Sequence, residues 1–164
     1  PAPVKLLSPY RTLSVERRQA LVLHDLKTNP SQRELVVRRI AARPGGFRLD
    51  TVRKRPVEQL AREVVRFNLE TAAEEVALLQ TLYIELEPAL QIEFLEATGV
   101  PHDGASMAEE LTPPFASAET VKRAALALVA AHGSDARHYL CTIVTYNAEA
   151  WPELDQVIAE LPAE

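Results

Sequence analysis

The stretch from Pro56 to Gly99 constrains the fold of this chain more than any other. Its part from Val57 to Glu87 contains neither proline nor glycine, and apolar residues recur there at steps of three and four. This periodicity is typical of an amphipathic helix. Beyond Thr71, polar residues are so sparse that a helix would contact protein on nearly every side. We therefore predict a long central helix with shorter helices packed around it.

A second face of this stretch carries charges at four-residue steps. Glu58, Arg62, Arg66 and Glu70 follow one another at this spacing. Residues four apart are neighbours on a helix surface, and opposite charges at that distance attract. The pattern predicts ion pairs along one exposed side of the helix.

Local signals within the stretch indicate where helices begin and end. Thr71 and Glu74 have the spacing of a capping box, in which each side chain accepts from the other residue's backbone N–H. One long helix and two helices separated just before Thr71 therefore both stay open. Pro88 predicts a kink or a new helix start. Gly99 predicts a helix end, because glycine readily adopts the left-handed conformation of a C-terminal cap.

The overall composition favours helix over turn-rich sheet. Only 5 of the 164 residues are glycine, against an average of roughly 7%. A chain of this length buries roughly two-thirds of its unfolded surface and folds without cross-links. We predict an all-α fold: one domain over residues 1–164, a bundle of about six or seven helices around the long central helix.

The same composition gives an expectation for the cellular location. Cys141 is the only cysteine, so an internal disulfide is excluded. The first residues lack the apolar core of a signal peptide, and no apolar run approaches the roughly 18 residues that span a bilayer. We expect a cytoplasmic protein that does not bind membranes.

Charge is distributed unevenly along the chain. The basic N-terminal part, residues 1–68, holds 15 Lys+Arg and 6 Asp+Glu, whereas the acidic C-terminal part, residues 69–164, holds 3 and 17. The net charge of -5 is therefore the sum of +9 in the N-terminal part and -14 in the C-terminal part. Such asymmetry is typical of proteins that contact nucleic acids or membranes, or of two surfaces that pair with each other.

The N-terminal part reads as two helices after an extended segment at 1–13. Ser14 is the expected N-cap of the first helix, which should stop at Thr28–Pro30. The sequence Ser31–Glu34 has the form of a capping box and predicts the start of the second helix, with Leu35 among its inward residues. The segment Phe47–Arg55 is predicted to be irregular or strand-like.

The C-terminal part reads as a loop followed by three helices. Residues 100–117 contain three prolines and predict a long surface loop, with one helical turn at Ser106–Leu111. Ser117 is predicted to cap a helix that is buried on all sides. The β-branched segment Leu140–Tyr146 suits a strand, but a capping residue precedes it, and we predict helix. Trp151 should anchor a short final helix.

A dense basic cluster is the first candidate binding site. Seven basic residues fall within 18 positions: Arg38, Arg39, Arg43, Arg48, Arg53, Lys54 and Arg55. A surface that contacts phosphates needs this density of positive charge. The helix pair before it has the outline of a helix-turn-helix, with Gln32 and Arg33 at the start of the second helix. The alternative is a basic face paired with acidic groups of the same or a neighbouring chain.

A second candidate group combines nucleophile, base and ligand types. His132, Asp135, His138 and Cys141 lie at steps of three, so that they would share a helix face. Zinc or a Cys–His nucleophile uses such residues, although this spacing matches no zinc signature. No Glu-x-x-His pair and no glycine-rich phosphate loop occurs. We therefore assign no catalytic residue, metal or cofactor from the sequence.

These observations rank three functions. The first is a non-enzymatic helical interaction module that binds a protein partner or itself, as a homo-oligomer, through complementary charged surfaces. The second is a nucleic-acid-binding protein that uses the basic cluster at 38–55. The third is a small metal-binding protein or Cys/His enzyme with its site at 132–141.

Overall fold

The computed structural model describes residues 8–107 and 110–162. Over this part of the chain it is mostly helical, which confirms the all-α class, but it has ten α-helices rather than six or seven. The helices are α1 (Pro9–Thr12), α2 (Val15–Thr28), α3 (Pro30–Ala41), α4 (Leu49–Arg53), α5 (Val57–Phe67), α6 (Ala72–Thr81), α7 (Ala89–Thr98), α8 (Ala118–His132), α9 (Ser134–Asn147) and α10 (Leu154–Glu160). A π-helical segment, Leu82–Leu86, follows α6, and two short strands, β1 (His102–Asp103) and β2 (Ser106–Met107), form an antiparallel hairpin.

A single long central helix is not present: the stretch breaks between Asn68 and Thr71, the second of the two alternatives left open, and breaks again before α7. Asn68 ends α5 in the left-handed conformation, with φ 50°. The next helix, α6, begins with the predicted capping box. The Thr71 N–H donates to Glu74 Oε2 at 2.7 Å, and the Glu74 N–H donates to Thr71 Oγ1 at 3.3 Å. The helix ends at Asn68 because asparagine tolerates a positive φ, and the capping box at Thr71 starts the next helix.

The described residues fall into two compact units, one ending at Thr81 and one beginning at Leu82. The division falls where α6 passes into the π-helical segment, in which the Glu87 N–H donates to the Leu82 carbonyl five residues back. That the whole chain forms one domain stays a prediction.

In the first unit, α2 packs along α5 in the antiparallel direction. Lys27, near the end of α2, lies 3.9 Å from Glu58 at the start of α5. The helices meet through apolar stripes at three- and four-residue spacing, the pattern predicted for α5. The buried core residues of α2, α3 and α5 include Leu21, Val22, Leu26, Val36, Val37, Ile40, Leu60, Ala61 and Val64.

Three local predictions in this unit are corrected. The N-cap of α3 is Asn29, whose side chain accepts from the Gln32 N–H, and the capping box predicted at Ser31–Glu34 is wrong. Proline at position 30 supplies the reason, since proline fits the first turn of a helix, where its missing N–H is not needed. The segment predicted as irregular at Phe47–Arg55 contains α4. Leu35 is exposed, not inward.

The predictions before and within α2 have mixed outcomes. Ser14 caps α2 as predicted, accepting from the Arg17 N–H at 3.2 Å, and α2 ends at Thr28. The extended segment predicted at 1–13 is wrong at Pro9–Thr12, which forms α1. Residues 1–7 lie outside the described residues.

In the second unit, aromatic rings fill the space between α7, α9 and the turn before α10. The Phe94 ring lies 5.0 Å from that of Trp151 and 5.8 Å from that of Tyr139, measured between centroids. Gln91 is buried beside them. Its Nε2 donates to the Ala105 carbonyl at 3.2 Å, and its Oε1 accepts from the Tyr139 hydroxyl. Both ends of this amide are therefore satisfied, and α7 is tied to the hairpin and to α9.

The sequence located most helices of the second unit correctly. Ser117 caps α8, accepting from the Thr120 N–H, and α9 is helical through Leu140–Tyr146. The prediction that α8 is buried on all sides is wrong, because one of its faces is exposed and Leu126 on it is 44% exposed. Trp151, predicted to anchor the final helix, is buried against the rings of Phe94 and Phe115. The helical turn predicted at Ser106–Leu111 is wrong where the structure describes it, because Ser106 and Met107 form β2; residues 108 and 109 lie outside the described part. Every helix in the described ranges is too short or too polar to span a membrane.

Candidate functional site

The predicted basic cluster at 38–55 is largely paired inside the first unit. Four of its seven members lie against carboxylates: Arg38 and Arg53 against Glu34, Arg39 against Glu74, and Arg55 against Glu63. Arg53 donates from Nε and Nη2 to both oxygens of Glu34, at 3.2 and 2.7 Å, and lowers the pKa of that carboxyl. A phosphate would have to compete with these carboxylates. The cluster as a binding site stays a prediction.

Arg39 has the least exposed carboxylate partner of the four. Its Nη1 donates to Glu74 Oε2 at 2.6 Å and to the Leu69 carbonyl at 2.7 Å. Burial raises the pKa of Glu74, but hydrogen bonds from Arg39, from the Thr71 N–H and from Gln32 outweigh it, so that the pKa is lowered overall. Arg39 therefore holds α3 against the start of α6, and this geometry is that of a structural residue.

The other three members of the cluster differ from one another. The Arg43 guanidinium lies 3.7 Å from the centroid of the Phe67 ring, a cation–π contact. Arg48 and Lys54 are exposed, and the side chain of neither forms a hydrogen bond or ion pair with a residue that the structure describes. Two of the seven charges are thus available to a ligand without loss of an internal contact.

A cleft between α2 and α5 is a second candidate site, which the sequence does not reveal. It has a volume of about 790 Å³ and is lined by residues of α2 and α5, with Asn68 at one end. The antiparallel packing of the two helices places the first turns of α2 beside the second half of α5. Its charged lining residues are Arg18, Arg62, Glu63 and Arg66.

The three arginines of this cleft have no carboxylate partner among the described residues. Arg62 and Arg66 are exposed, and the Arg66 guanidinium lies 5.2 Å from the centroid of the Phe67 ring. Arg18 lies 6.0 Å from the Tyr10 ring, and its Nε is buried without a hydrogen-bond partner. Positive charges without a carboxylate partner attract negative groups of a ligand.

The cleft also contains one acceptor in need of a donor. Glu63 Oε1 accepts from Arg55, whereas Glu63 Oε2 is buried without a partner. The amide side chains of Gln19 and Gln59 line the same space. The site can therefore hold negative groups at its arginines.

The ion pairs predicted along α5 are not those that the structure contains. The four-residue steps of the charged face predict ion pairs between Arg62, Arg66 and their acidic neighbours. In the structure Glu58 lies near Lys27, and Glu70 accepts from the Tyr10 hydroxyl, which leaves both arginines without these neighbours.

The residues at 132–141 are held by separate partners. His132 Nε2 lies 2.7 Å from Glu93 Oε2, and His138 Nδ1 hydrogen-bonds the Tyr83 hydroxyl. Burial raises the pKa of the Cys141 thiol, with Arg137 opposing it, which disfavours the reactive thiolate. Within residues 8–107 and 110–162, no three His, Cys, Asp or Glu side chains are grouped as metal ligands. Chemistry at 132–141 stays a prediction, which metal analysis of untagged protein tests.

Comparison of the chain with protein-family models, with curated proteins and with solved structures found no match.

Proposed function

We propose that this protein is a non-enzymatic helical interaction module that binds a protein partner, or a second copy of itself, through complementary charged surfaces. The observation that carries the proposal is the charge of the two compact units. The chain up to residue 81 holds 15 Lys+Arg and 9 Asp+Glu, and the chain from residue 82 holds 3 and 14. Neither surplus can be neutralised by groups of its own unit. Opposite surfaces of this kind steer association and fix its register.

The contacts within the units support the same proposal. In the first unit, the positive groups without a carboxylate partner include Arg18, Arg62 and Arg66, which all line one cleft. In the second unit, 14 acidic residues stand against 3 Lys+Arg. Arg123, one of the three, pairs with Glu119 within its own helix.

The proposal is tested by light scattering over a range of protein concentrations, at low salt and at about 0.5 M salt, where screening reduces the Debye length to a few Å. A mass that rises at low salt and falls to the monomer at high salt supports self-association. If the mass is that of the monomer throughout, labelled acidic and basic helical peptides are titrated at low salt. Binding of either peptide that weakens with salt supports a protein partner. A monomer that binds neither peptide refutes the proposal.

The second candidate, a nucleic-acid binder, is favoured by one observation: Arg48 and Lys54 are exposed and unpaired among the described residues. Its test is fluorescence anisotropy with unrelated DNA and RNA, single-stranded and duplex. The double variant Arg48→Gln/Lys54→Gln should reduce the slope of log K against log salt by roughly one to two if both side chains contact phosphates. An unchanged slope removes these residues from consideration.

A further inference from the structure

We propose that the cleft between α2 and α5 is a docking site for an acidic helix, whose carboxylates bind Arg62 and Arg66 and reach Arg18. This inference rests on the proposed function, because it specifies the chemistry of the partner for the first unit.

The spacing of the arginines selects the kind of acidic ligand. Arg62 and Arg66 stand four residues apart on α5, which corresponds to a rise of about 6 Å along the helix. Glutamates four residues apart on a partner helix have the same spacing, so a helix lying along α5 presents one carboxylate to each guanidinium. Arginine and carboxylate form paired, charge-assisted hydrogen bonds, which are stronger than neutral ones.

The mixed charge of the lining favours a peptide over a polyphosphate. Glu63 lines the cleft together with the three arginines, and its Oε1 accepts from Arg55. A peptide can present carboxylates to the arginines while keeping its negative groups away from Glu63. A nucleic-acid backbone supplies phosphates in excess, which the Glu63 carboxylate would repel.

The lining of the cleft also favours a peptide over single-stranded nucleic acid. None of the described residues that line it is aromatic, and base recognition without aromatic stacking forgoes a major source of affinity. Val15 lines the cleft and is 47% exposed. It offers an apolar contact beside the charges, and an amphipathic acidic helix has a matching apolar side chain.

The proposal is tested by anisotropy of a labelled helical peptide with glutamates four residues apart, at low and at near-physiological salt. The decisive variant is Arg62→Gln/Arg66→Gln, at two exposed positions where glutamine also favours helix. We expect its Kd to be raised at least about tenfold, which corresponds to 1.4 kcal/mol. The matched control is Arg48→Gln/Lys54→Gln, which removes two exposed positive charges from the same unit outside the cleft; its Kd should rise less than about threefold. Circular dichroism checks that both variants are folded.

Three results would overturn the inference. The first is an equal loss of affinity in both double variants, which would show non-specific attraction. The second is an unchanged Kd in Arg62→Gln/Arg66→Gln while the wild-type protein binds the peptide, which refutes the cleft and leaves the interaction module intact. The third is binding of a single-stranded oligonucleotide of equal charge that is tighter than that of the peptide and is lost in the cleft variant. A peptide with the same composition but glutamates two residues apart should bind more weakly.

Discussion

Replacing Glu74 with alanine should destabilise the first unit by more than any single exposed ion pair could. Glu74 accepts from the Thr71 N–H at 2.7 Å and from Arg39 at 2.6 Å, while Gln32 donates to its other oxygen at 3.3 Å. Loss of the capping contact costs about 0.5–2 kcal/mol. A hydrogen bond between charged groups contributes about 1.5–3 kcal/mol. The bond between Arg39 and Glu74 is of this kind, and the two side chains are only 27% and 17% exposed, respectively.

The loss of stability is smaller than the sum of these two contributions, because Arg39 keeps one hydrogen-bond partner. Its Nη1 still donates to the Leu69 carbonyl when Glu74 is removed. We therefore expect the free energy of unfolding to fall by about 2–4 kcal/mol in Glu74→Ala. The control variant, Glu74→Gln, keeps an oxygen for the Thr71 N–H, because glutamine also completes a capping box. The free energy of unfolding of Glu74→Gln should fall by only about 1–2 kcal/mol, because this variant loses the charge of the carboxylate but keeps the capping contact.

The assay is urea unfolding followed by circular dichroism at 222 nm, with a double-mutant cycle between Glu74→Ala and Arg39→Ala. The coupling energy should be about 1 kcal/mol or more, as for residues in one hydrogen-bonded network. A coupling within about 0.3 kcal/mol of zero would refute the reasoning, because distant independent sites give values in that range.

The dependence on pH provides a second test of the same pair. The pKa of Glu74 is lowered in the folded protein from its ordinary value of 4.5. A carboxyl with a lowered folded pKa stabilises the fold above its unfolded pKa, and this contribution disappears as the pH falls through the folded pKa. The difference between wild type and Glu74→Ala should therefore be constant at neutral pH and decrease below about pH 4.5. An unchanged difference in acid would show that the carboxylate charge is not involved.

Three further predictions concern the second unit. Gln91→Leu should lower the free energy of unfolding by about 1–3 kcal/mol, because it leaves the buried Tyr139 hydroxyl unpaired. Adding Tyr139→Phe should restore part of this free energy, as measured by unfolding followed through tryptophan fluorescence. If the second substitution restores nothing, the hydrogen bond between the two side chains is contradicted. Gly133, at φ 60° and ψ -129°, has a backbone conformation that almost only glycine adopts. Gly133→Ala should therefore lower the free energy of unfolding by about 1–3 kcal/mol. It should lower the melting temperature more than the control Gly99→Asn, because Gly99, at φ 73° and ψ 17°, has a left-handed conformation that asparagine tolerates. Equal losses would refute this comparison. Cys141 should react with a disulfide reagent at pH 8 more slowly in the native protein than in urea, because burial raises its pKa; equal rates would show an accessible thiolate.

The features predictable from the sequence were those determined by neighbouring residues. Ser14, Ser117 and Thr71 form the caps that their patterns indicate, because a cap requires only a side-chain oxygen and an N–H two or three residues on. The wrong N-cap at Ser31 could have been avoided from neighbouring residues. Asn29 is equally able to cap, and Pro30 after it indicates the first turn of the helix. The hairpin at 102–107 was beyond such reasoning, since two-residue strands show no alternation.

The candidate site was not predictable because its members are distant in sequence. Arg18 lies on α2, whereas Arg62 and Arg66 lie on α5, and only the antiparallel packing of these helices brings them to one cleft. The partner of Arg39, Glu74, is likewise 35 residues away. No spacing rule within a helix reveals such a pairing.

The density of charge in a sequence therefore differs from the charge that a surface can offer. A guanidinium already bound to a carboxylate must lose that contact before it binds a ligand, so its contribution to affinity is a difference between two similar interactions. The cluster at 38–55 has seven basic residues, yet four of them are ion-paired with described carboxylates. The cleft has three arginines and none is ion-paired with a described residue. If this argument is correct, removing two charges from the cleft weakens binding of an acidic helix more than removing the two available charges of the denser cluster, although the net charge of both variants is the same.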